Sequence, residues 1–326
     1  MKDIRQTENW AEFIGRKGWT SLKLENGTIA LIRKMPLIGS LIKIQRPKFW
    51  ITDNDIKRLK KYKPLFIKIE PQVNMLGEKP TSVEIDIDTW PLIPTKTKVI
   101  DLQNSVDDIL KGSSKDVRQS VKKSPVTFHY FKGENPGMDK ALLDFSANYK
   151  DVAKMQKFTP QNHKTLVSQL DIFKDNFYLF ETRYKGKVNA GAVVLCSDNK
   201  NAFYMYAYSN YKTGRKTYAA YKLLIGIITQ LKKDGFEKLD LEGLKDDRFK
   251  KETGNWLGFT TFKNKWYGET INFEVPYIVY FNKFFKMLFT FGSIGENALD
   301  QIATNSKDSL SYRYINSYVK SKKKVK

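Results

Sequence analysis

The hydrophobic and polar positions of the chain repeat one order of elements in each half. In the first half they predict strand, strand, strand, helix and strand at 22–24, 29–32, 40–44, 54–61 and 65–69. The second half gives the same order at 178–182, 190–195, 202–207, 217–232 and 239–241. The two halves share almost no sequence identity, so only the order repeats. Since the order of elements defines a fold, the pattern predicts a duplicated unit.

The remaining pattern fills in the two halves. It predicts strands at 83–87, 97–102 and 128–131, and helices at 104–123, 138–158 and 161–170. The segment 277–290 is interpreted as a packed helix, with a membrane-surface element as the alternative. The predicted domains are 1–158 and 159–326, with the C-terminal tail packing back on the first domain. With 41% hydrophobic residues, each half can bury a core of its own.

The chain is strongly basic, with 57 Lys and Arg against 35 Asp and Glu and a formal net charge of +22. Such an excess repels itself and is best offset by an anionic partner. The candidates are nucleic-acid phosphates, anionic lipid or a phosphorylated substrate. A generally basic surface is the alternative, because lysines are spread along the whole chain.

Cysteine and histidine are scarce, which argues against several chemistries. Cys196 is the one cysteine, so no intramolecular disulfide is available, as expected in a reducing compartment. His129 and His163 are too few for a His/Cys metal cluster, and no Walker or Gly-x-Ser-x-Gly motif occurs. The chain lacks a signal-peptide core and any apolar run near ~20 residues. We therefore expect a cytoplasmic protein, with peripheral contact at the inner face of the plasma membrane left open.

Four stretches resemble one known family in their order and spacing. They are 4–10 with Gly18-Trp19, 99–102 with the basic stretch 115–123, 145–158 through 235–244, and 261–268. Together they resemble the Fem-type peptidoglycan aminoacyltransferases, the FemABX family. No coiled-coil arm is inserted, which resembles the compact, FemX-like type. The sequence departs from the family at 242–244, where the family has Gly-Gly, and at 266–268, where it has Phe-Gly.

The resemblance implies an α+β fold of two tandem GNAT-like (acyl-CoA N-acyltransferase-like) domains. Each would be a mixed, mainly antiparallel sheet flanked by helices, with a cleft between the domains. The implied activity is transfer of an aminoacyl group from charged tRNA to an amine of a peptidoglycan precursor. That acceptor would be lipid II or UDP-MurNAc-pentapeptide. We further expect a monomer that needs no cofactor and no metal.

Two other interpretations stay open. One is a GNAT-like acyltransferase with another donor or acceptor, such as acyl-CoA, a polysaccharide or a protein. The other is a non-catalytic RNA-binding protein on the same fold. The segment 210–218 argues against acetyl-CoA, because Gly214 is its only glycine. Backbone N–H groups need small residues beside them if they are to approach a pyrophosphate.

The catalytic candidates lie in two of the resembling stretches. Lys263 is the first choice, because the resemblance places it near the reacting ester, where a cation stabilises developing negative charge. Phe262 would pack beside it, on a strand at 261–268. Asp240 and Glu242 would share one face of a strand and orient the amine or accept its proton. The alternative is that all are ordinary charges on an edge strand or a strand end.

The binding candidates are basic or aromatic. The resemblance implies that the acceptor and its phosphates are held by Lys34, Arg215 and Tyr218 or Tyr221, with Glu242 also contacting substrate. Solvated loop charges, and a core role for the helix face of Tyr221, are the alternatives.

A basic helix face is the candidate for tRNA. Lys115, Arg118 and Lys122 follow one another at i, i+3 and i+7, so they share one helical face. Contacts to the RNA backbone from such a face carry no sequence information. A solvated basic face is the alternative.

Overall fold

A computed structural model describes residues 1–35, 37–156, 160–282 and 286–287 of the chain. Its strands are β1 (Thr20–Lys23), β2 (Ile29–Met35), β3 (Gly39–Gln45), β4 (Pro64–Glu70), β5 (Asp86–Ile87), β6 (Lys96–Asp101), β7 (Thr127–Lys132), β8 (Phe177–Tyr184), β9 (Lys187–Ser197), β10 (Asn201–Ser209), β11 (Lys238–Asp240), β12 (Glu269–Asn272) and β13 (Tyr277–Tyr280). Its α-helices are α1 (Glu8–Gly15), α2 (Asp53–Lys60), α3 (Val106–Gly112), α4 (Lys115–Lys123), α5 (Met138–Gln156), α6 (His163–Phe173), α7 (Ala219–Lys233), α8 (Lys250–Thr253) and α9 (Leu257–Asn264). Short 3-10 helices occupy Ile4–Gln6, Lys174–Asn176, Asp247–Phe249 and Gly254–Trp256.

The described residues form two compact units, each built around one sheet. The seven-stranded unit comprises Met1–Ile4, Lys96–Lys245 and Asn255–Ile271. The six-stranded unit comprises Arg5–Thr95, Asp246–Gly254 and the described residues from Asn272 onward. Each unit therefore takes segments from both halves of the chain.

The six-stranded sheet has the order β1-β2-β3-β4-β13-β5. Strands β1, β2 and β3 pair antiparallel, and α2 then leads to β4, which is parallel to β3. Helix α2 begins after Thr52, which forms a capping box with Asp55. Its Ile56 and Leu59 are fully buried against apolar side chains of β3 and β4, which closes one face of the sheet.

The seven-stranded sheet has the order β12-β6-β11-β10-β9-β8-β7. Strands β8, β9 and β10 pair antiparallel, and α7 leads to β11, which is parallel to β10. Four fully buried side chains of α7, at helical spacing, form the core on one face of this sheet: Leu223, Leu224, Ile227 and Ile228. The repeated order of elements is thus confirmed, as is an α+β fold with two mixed, mainly antiparallel sheets flanked by helices.

Strand pairing explains why the units are not continuous segments. In each sheet, the strand that follows the crossover helix, β4 or β11, pairs on its outer side with a strand from the other half of the chain. Strand β6 pairs with β11 in the seven-stranded sheet, and β13 pairs with β4 in the six-stranded sheet. The predicted domains, 1–158 and 159–326, instead divide the chain at one point, because an alternation pattern identifies a strand and not its partner.

Three predicted elements differ in the structure. The predicted strand at 261–268 is wrong, since its first four residues belong to α9. The predicted helix at 104–123 is two helices, because Ser113 ends α3 and Ser114 caps α4. The predicted helix at 277–290 is wrong for 277–280, which form β13, and 283–285 and 288–290 lie outside the described residues. The rest of the C-terminal tail, 291–326, which is predicted to pack back on the first domain, lies outside them as well.

Candidate active site

The two parallel strands of the seven-stranded sheet, β10 and β11, separate part-way along β10. Strand β10 pairs with β11 only from Asn201 to Phe203, opposite Lys238 to Asp240, and then continues alone on that side to Ser209. The chain leaving β11 follows β6 instead, with the Leu241 N–H donating to the Lys98 carbonyl over 2.8 Å. A gap therefore begins beside β10 at Asp240.

Asp240 lies at the start of this gap and is almost fully buried, with 4% of its surface exposed. Its Oδ1 accepts hydrogen bonds from the Thr97 hydroxyl and, at 2.7 Å, from the Glu242 N–H. Burial, followed by the nearby Glu242 charge, raises the pKa of Asp240 to about 7, although both hydrogen bonds act to lower it. This carboxyl therefore changes charge near neutral pH.

The turn after β11 is irregular. Glu242 has a φ of 57°, in the left-handed region, so the strand alternation stops before it. The prediction that Asp240 and Glu242 share one strand face therefore does not hold, because the strand ends at Asp240. The turn presents two carbonyls, of Glu242 and Gly243, to the ammonium of Lys263 at 2.7 and 2.9 Å.

Lys263 lies in α9 and is nine-tenths buried. Burial lowers the pKa of its ammonium to about 8, against the opposing charges of Glu242 and Asp240. The ammonium also lies 4.9 Å from the centre of the Phe259 ring. The structure thus brings three predicted residues together, with Asp240 and Lys263 buried and Glu242 half-buried beside them.

An aromatic cluster stands beside this group. Phe262 meets the Tyr221 ring edge-on at 5.1 Å, and Trp266 lies 6.3 Å from Phe262 and 6.4 Å from Tyr221. Phe262 and Tyr221 both pack on the core of the seven-stranded unit. Tyr221 therefore has a packing role here, and Phe262 anchors the helix that carries Lys263.

The segment before α7 carries two of the predicted phosphate-binding residues. Arg215 is exposed, and its guanidinium lies 5.3 Å from the Tyr211 ring centre. Tyr218 is half-buried at the start of α7, with a φ of 52°. The N–H groups of Gly214 and Thr217 bond within the segment itself. These N–H groups therefore already have acceptors, whereas in acyl-CoA enzymes the N–H groups of such a loop donate to the phosphates.

The other predicted binding residues lie apart along the chain. Lys34 is exposed on β2 of the six-stranded unit. Lys115 and Lys122 are exposed on α4. Arg118 is exposed too, but its guanidinium donates to the carbonyls of Lys111, at 3.0 Å, and Ser113. That contact satisfies backbone acceptors at the end of α3, a structural role that its spacing on α4 did not reveal.

One residue of the site has no sequence signal: the Thr97 hydroxyl donates a hydrogen bond to Asp240. Thr97 belongs to β6, whose pairing with β11 no local pattern indicates. The helical placement of Lys263 did have a signal. Phe259, Phe262, Lys263 and Trp266 stand at i, i+3, i+4 and i+7, the spacing of one helix face.

A separate cleft of about 860 Å³ lies in the seven-stranded unit and is lined by residues that include Asp144, Arg183, Asn189 and Asn210. None of the predicted site residues lines it. Within the described ranges there is no group of three or more His, Cys, Asp or Glu residues suited to a metal ion. Nor does any helix there have the length and apolarity needed to cross a bilayer.

The comparison with known proteins rests on structure. No model of a known protein family matches the sequence, and no curated protein matches it. Among solved structures, FemX matches with a TM-score of 0.71 at 15% identity, over 87% of this chain and 94% of FemX. The chain has the fold of FemX. The predicted tandem GNAT-like architecture and the FemX-like resemblance are confirmed at the level of fold.

Two further structures share the fold less closely than FemX does. One is the C-terminal domain of a protein described as a lysylphosphatidylglycerol synthetase from Agrobacterium fabrum. It has a TM-score of 0.55 at 14% identity, over 86% of this chain and 89% of that domain. The other is a conserved protein of unknown function from Bacteroides thetaiotaomicron. It has a TM-score of 0.53 at 10% identity, over 85% of this chain and 91% of that protein.

Proposed function

We propose that this protein is an aminoacyltransferase that moves an aminoacyl group from charged tRNA to an amine of a peptidoglycan precursor. The observation that carries the proposal is the group formed by buried Asp240, half-buried Glu242 and buried Lys263 where β10 and β11 separate. It combines a carboxyl and an ammonium that both change charge near neutral pH. Perturbed pairs of this kind mark acid–base sites more often than ordinary surface charges do.

The reaction needs few groups because an ester is already activated. The amine nitrogen attacks the ester carbonyl carbon, forming an oxyanion, and the amine loses a proton. The bond between the former carbonyl carbon and the ribose oxygen then breaks, that oxygen takes up a proton and leaves as a hydroxyl, and an amide remains. Asp240, with a pKa of about 7, is suited to take the proton from the amine and return it to the leaving oxygen. Glu242, half-buried beside it, is suited to orient the amine.

Lys263 is suited to stabilise the oxyanion. A lysine ammonium has three N–H donors, and two of them bond to the carbonyls of Glu242 and Gly243. These bonds hold the ammonium in place, so little rearrangement is needed when negative charge develops. A pKa of about 8 leaves most of the Lys263 side chains charged at neutral pH.

Fold and charge support the substrates. FemX and the synthetase domain share this fold, and the name of the latter refers to a lysyl group on a phospholipid. The net charge of +22 suits a nucleic-acid donor and a phosphorylated acceptor. In this proposal Lys115, Lys122 and Arg118 face tRNA, while Lys34, Arg215 and Tyr218 serve the acceptor phosphates and Tyr221 packs against the core of the seven-stranded unit.

A transfer assay tests the proposal. The purified protein is incubated with radiolabelled aminoacyl-tRNA and, in parallel, with lipid II, UDP-MurNAc-pentapeptide or phosphatidylglycerol vesicles. We expect label on a muropeptide acceptor, lost when the tRNA is first digested with ribonuclease. Label on phosphatidylglycerol alone would reassign the acceptor. Activity with acyl-CoA and none with charged tRNA would contradict the proposal, as would tight RNA binding without any transfer.

Matched variants test the site separately from the family resemblance. Asp240→Asn is compared with Lys238→Ala, an exposed position on the same strand, and Lys263→Ala with the exposed Lys250→Ala. We expect transfer to fall in the first member of each pair and to persist in the second. Equal activity in both members would refute the assignment of the buried group while leaving the proposed reaction standing.

A further inference from the structure

An apolar tip ends the hairpin between β2 and β3 in the six-stranded unit. The tip consists of Leu37 and Ile38. Leu37 is fully exposed and has a φ of 69°, and 53% of Ile38 is exposed. A leucine in the left-handed region is uncommon, and an exposed one gains nothing from burial in the fold. Contacts within the described part of the chain thus give no reason for these two side chains.

The repeated order of elements supplies an internal reference for the tip. The hairpin at the same position of the seven-stranded sheet joins β9 to β10 through Asp198, Asn199 and Lys200, all exposed and polar. Lys200 has a φ of 57°, so both turns contain a left-handed residue. Polar residues such as these are usual in a solvated turn. The apolar composition therefore belongs to one hairpin and not to the fold.

Exposed lysines lie beside the tip along the chain and in the segment that the hairpin contacts. Lys34 precedes the tip on β2, and Lys60 ends α2, with Lys61 and Lys63 in the connection to β4. The hairpin is fixed against this connection, since the Ser40 N–H donates to the Lys63 carbonyl over 3.0 Å. A side chain at Gly39 would clash with the same carbonyl, so glycine is required for the close approach.

The charge around the tip is of one sign. No Asp or Glu occurs in residues 26–52 or in residues 56–69, which include both hairpin strands, the connection and β4 up to its last residue. Two apolar side chains projecting from a lysine cluster match the interfacial region of an anionic bilayer. There, apolar groups enter the headgroup boundary while lysines meet lipid phosphates.

We propose that the β2–β3 hairpin tip docks the protein on an anionic membrane surface. A bilayer suits the tip better than a protein partner does, because two side chains offer far less than the ~800 Å² per partner of a stable protein interface. A bilayer also needs no shape complementarity. The docking itself is independent of the proposed function; only its use, reaching a lipid-linked acceptor, rests on that function.

A site-specific fluorescent label tests the docking directly. Cys196 is buried, so a polarity-sensitive dye on Leu37→Cys reports the tip alone. The matched control is Ile87→Cys, 67% exposed on β5 of the same unit. Strand β5 pairs with the first residues of β13. The tip lies at the opposite end of the sheet, past the point where the last residue of β13 pairs with Phe66. Both proteins are mixed with phosphatidylcholine vesicles with or without phosphatidylglycerol.

We expect a blue shift of the dye at position 37 with phosphatidylglycerol vesicles, a weaker one without that lipid, and none at position 87. No shift at 37, or equal shifts at both positions, would overturn the proposal. As a second measurement, Leu37→Asp with Ile38→Asp should weaken vesicle binding about tenfold or more. Unchanged binding would also overturn it. Both side chains are solvent-exposed, so the variant should fold as wild type does, and circular dichroism checks this.

The same variant separates this proposal from the proposed function. With Leu37→Asp and Ile38→Asp, transfer to vesicle-borne lipid II should fall while transfer to soluble UDP-MurNAc-pentapeptide stays unchanged. Loss of transfer to both acceptors would place the tip in the reaction and contradict a docking role. Docking without transfer in the wild-type protein would refute the proposed function and leave the docking proposal standing.

Discussion

The two parallel strand pairs of the molecule occupy the same position in the repeated order of elements, yet only one of them is open. In the six-stranded sheet, β3 and β4 pair from Ser40 to Gln45, along the whole of β3 apart from its first residue. In the seven-stranded sheet, β10 and β11 separate after three residues. A duplicated fold has thus kept a closed pair in one copy and opened a gap in the other.

The two copies share an acidic residue at the end of the strand that follows the crossover helix, but this residue has different partners in each copy. Glu70 ends β4 and accepts hydrogen bonds from the Gln45 side chain, at 3.1 Å, and from the N–H groups of Leu92 and Ile93. Asp240 ends β11 and lies by the gap, next to a second carboxyl. Glu70 therefore holds backbone in place, whereas Asp240 is suited to chemistry. A buried acid becomes structural or reactive according to its partners.

The largest expected effect concerns the ammonium at the open pair. Lys263→Ala should lower kcat/KM for aminoacyl transfer by about 10²–10³, as removal of an oxyanion donor does elsewhere. Steady-state kinetics measures this, with Lys250→Ala as the exposed control. A change below about threefold would show that the ammonium stabilises the turn and not the reaction.

The pH dependence of transfer should reflect both groups of the open pair. Activity should rise as Asp240 loses its proton near pH 7 and fall as Lys263 loses its own near pH 8, giving a narrow bell. The rate profile of kcat/KM against pH measures this. A profile that is flat from pH 6 to about 9 would separate both groups from the chemistry.

At the closed pair the expected effect is on stability alone. Glu70→Gln places an amide where three donors converge, so one or more buried N–H groups lose their acceptor. We expect a loss of about 1–3 kcal/mol in the free energy of unfolding, with kcat nearly unchanged. Urea denaturation and the transfer assay measure the two quantities. Lost activity in a stable Glu70→Gln protein would contradict the contrast between the two acids.

The smallest effect is expected away from both pairs, on α4. Arg118→Ala removes the hydrogen bonds to two backbone carbonyls at the end of α3. It should lower the free energy of unfolding by about 1 kcal/mol or less. Lys122→Ala, on the same helix face, should leave stability unchanged. Thermal unfolding compares the two variants. Equal stability of both would show that the guanidinium contacts at Lys111 and Ser113 contribute nothing measurable.

Much of the fold was predictable because local patterns determine it. Alternation and apolar runs gave the strands of both repeats, and α7 was expected from its helical spacing. The positions of β6 and β13 were not predictable, since pairing depends on contacts distant in sequence. At 261–268 the resemblance suggested a strand, while the helical spacing of Phe259, Phe262, Lys263 and Trp266 indicated α9.

The sequence identified residues of the candidate site but not their geometry. Lys263 is predicted from the resemblance, and Asp240 and Glu242 from their position at a strand end; in the structure the three lie together. Their burial, which shifts both pKa values, depends on packing that no local pattern reports. The Thr97 hydrogen bond was hidden for the same reason. The tip of Leu37 and Ile38 could be recognised only from its exposure, which shows that no residue in the described ranges covers it.

The central claim is that Asp240 is a reactive acid whose burial at the open pair lowers the stability of the folded protein. The variant Asp240→Asn tests this claim most directly. The folded-state pKa of Asp240 is about 7, above its ordinary value of 3.8. Its contribution to stability is therefore complete at low pH and is lost as the pH rises through 7. Asparagine resembles the protonated carboxyl and carries no charge. We predict that Asp240→Asn lowers transfer by about 10²-fold yet unfolds at a higher temperature than wild type at pH 8, with equal unfolding temperatures at pH 4. A variant that is less stable than wild type at pH 8, or that retains full transfer, would contradict the account.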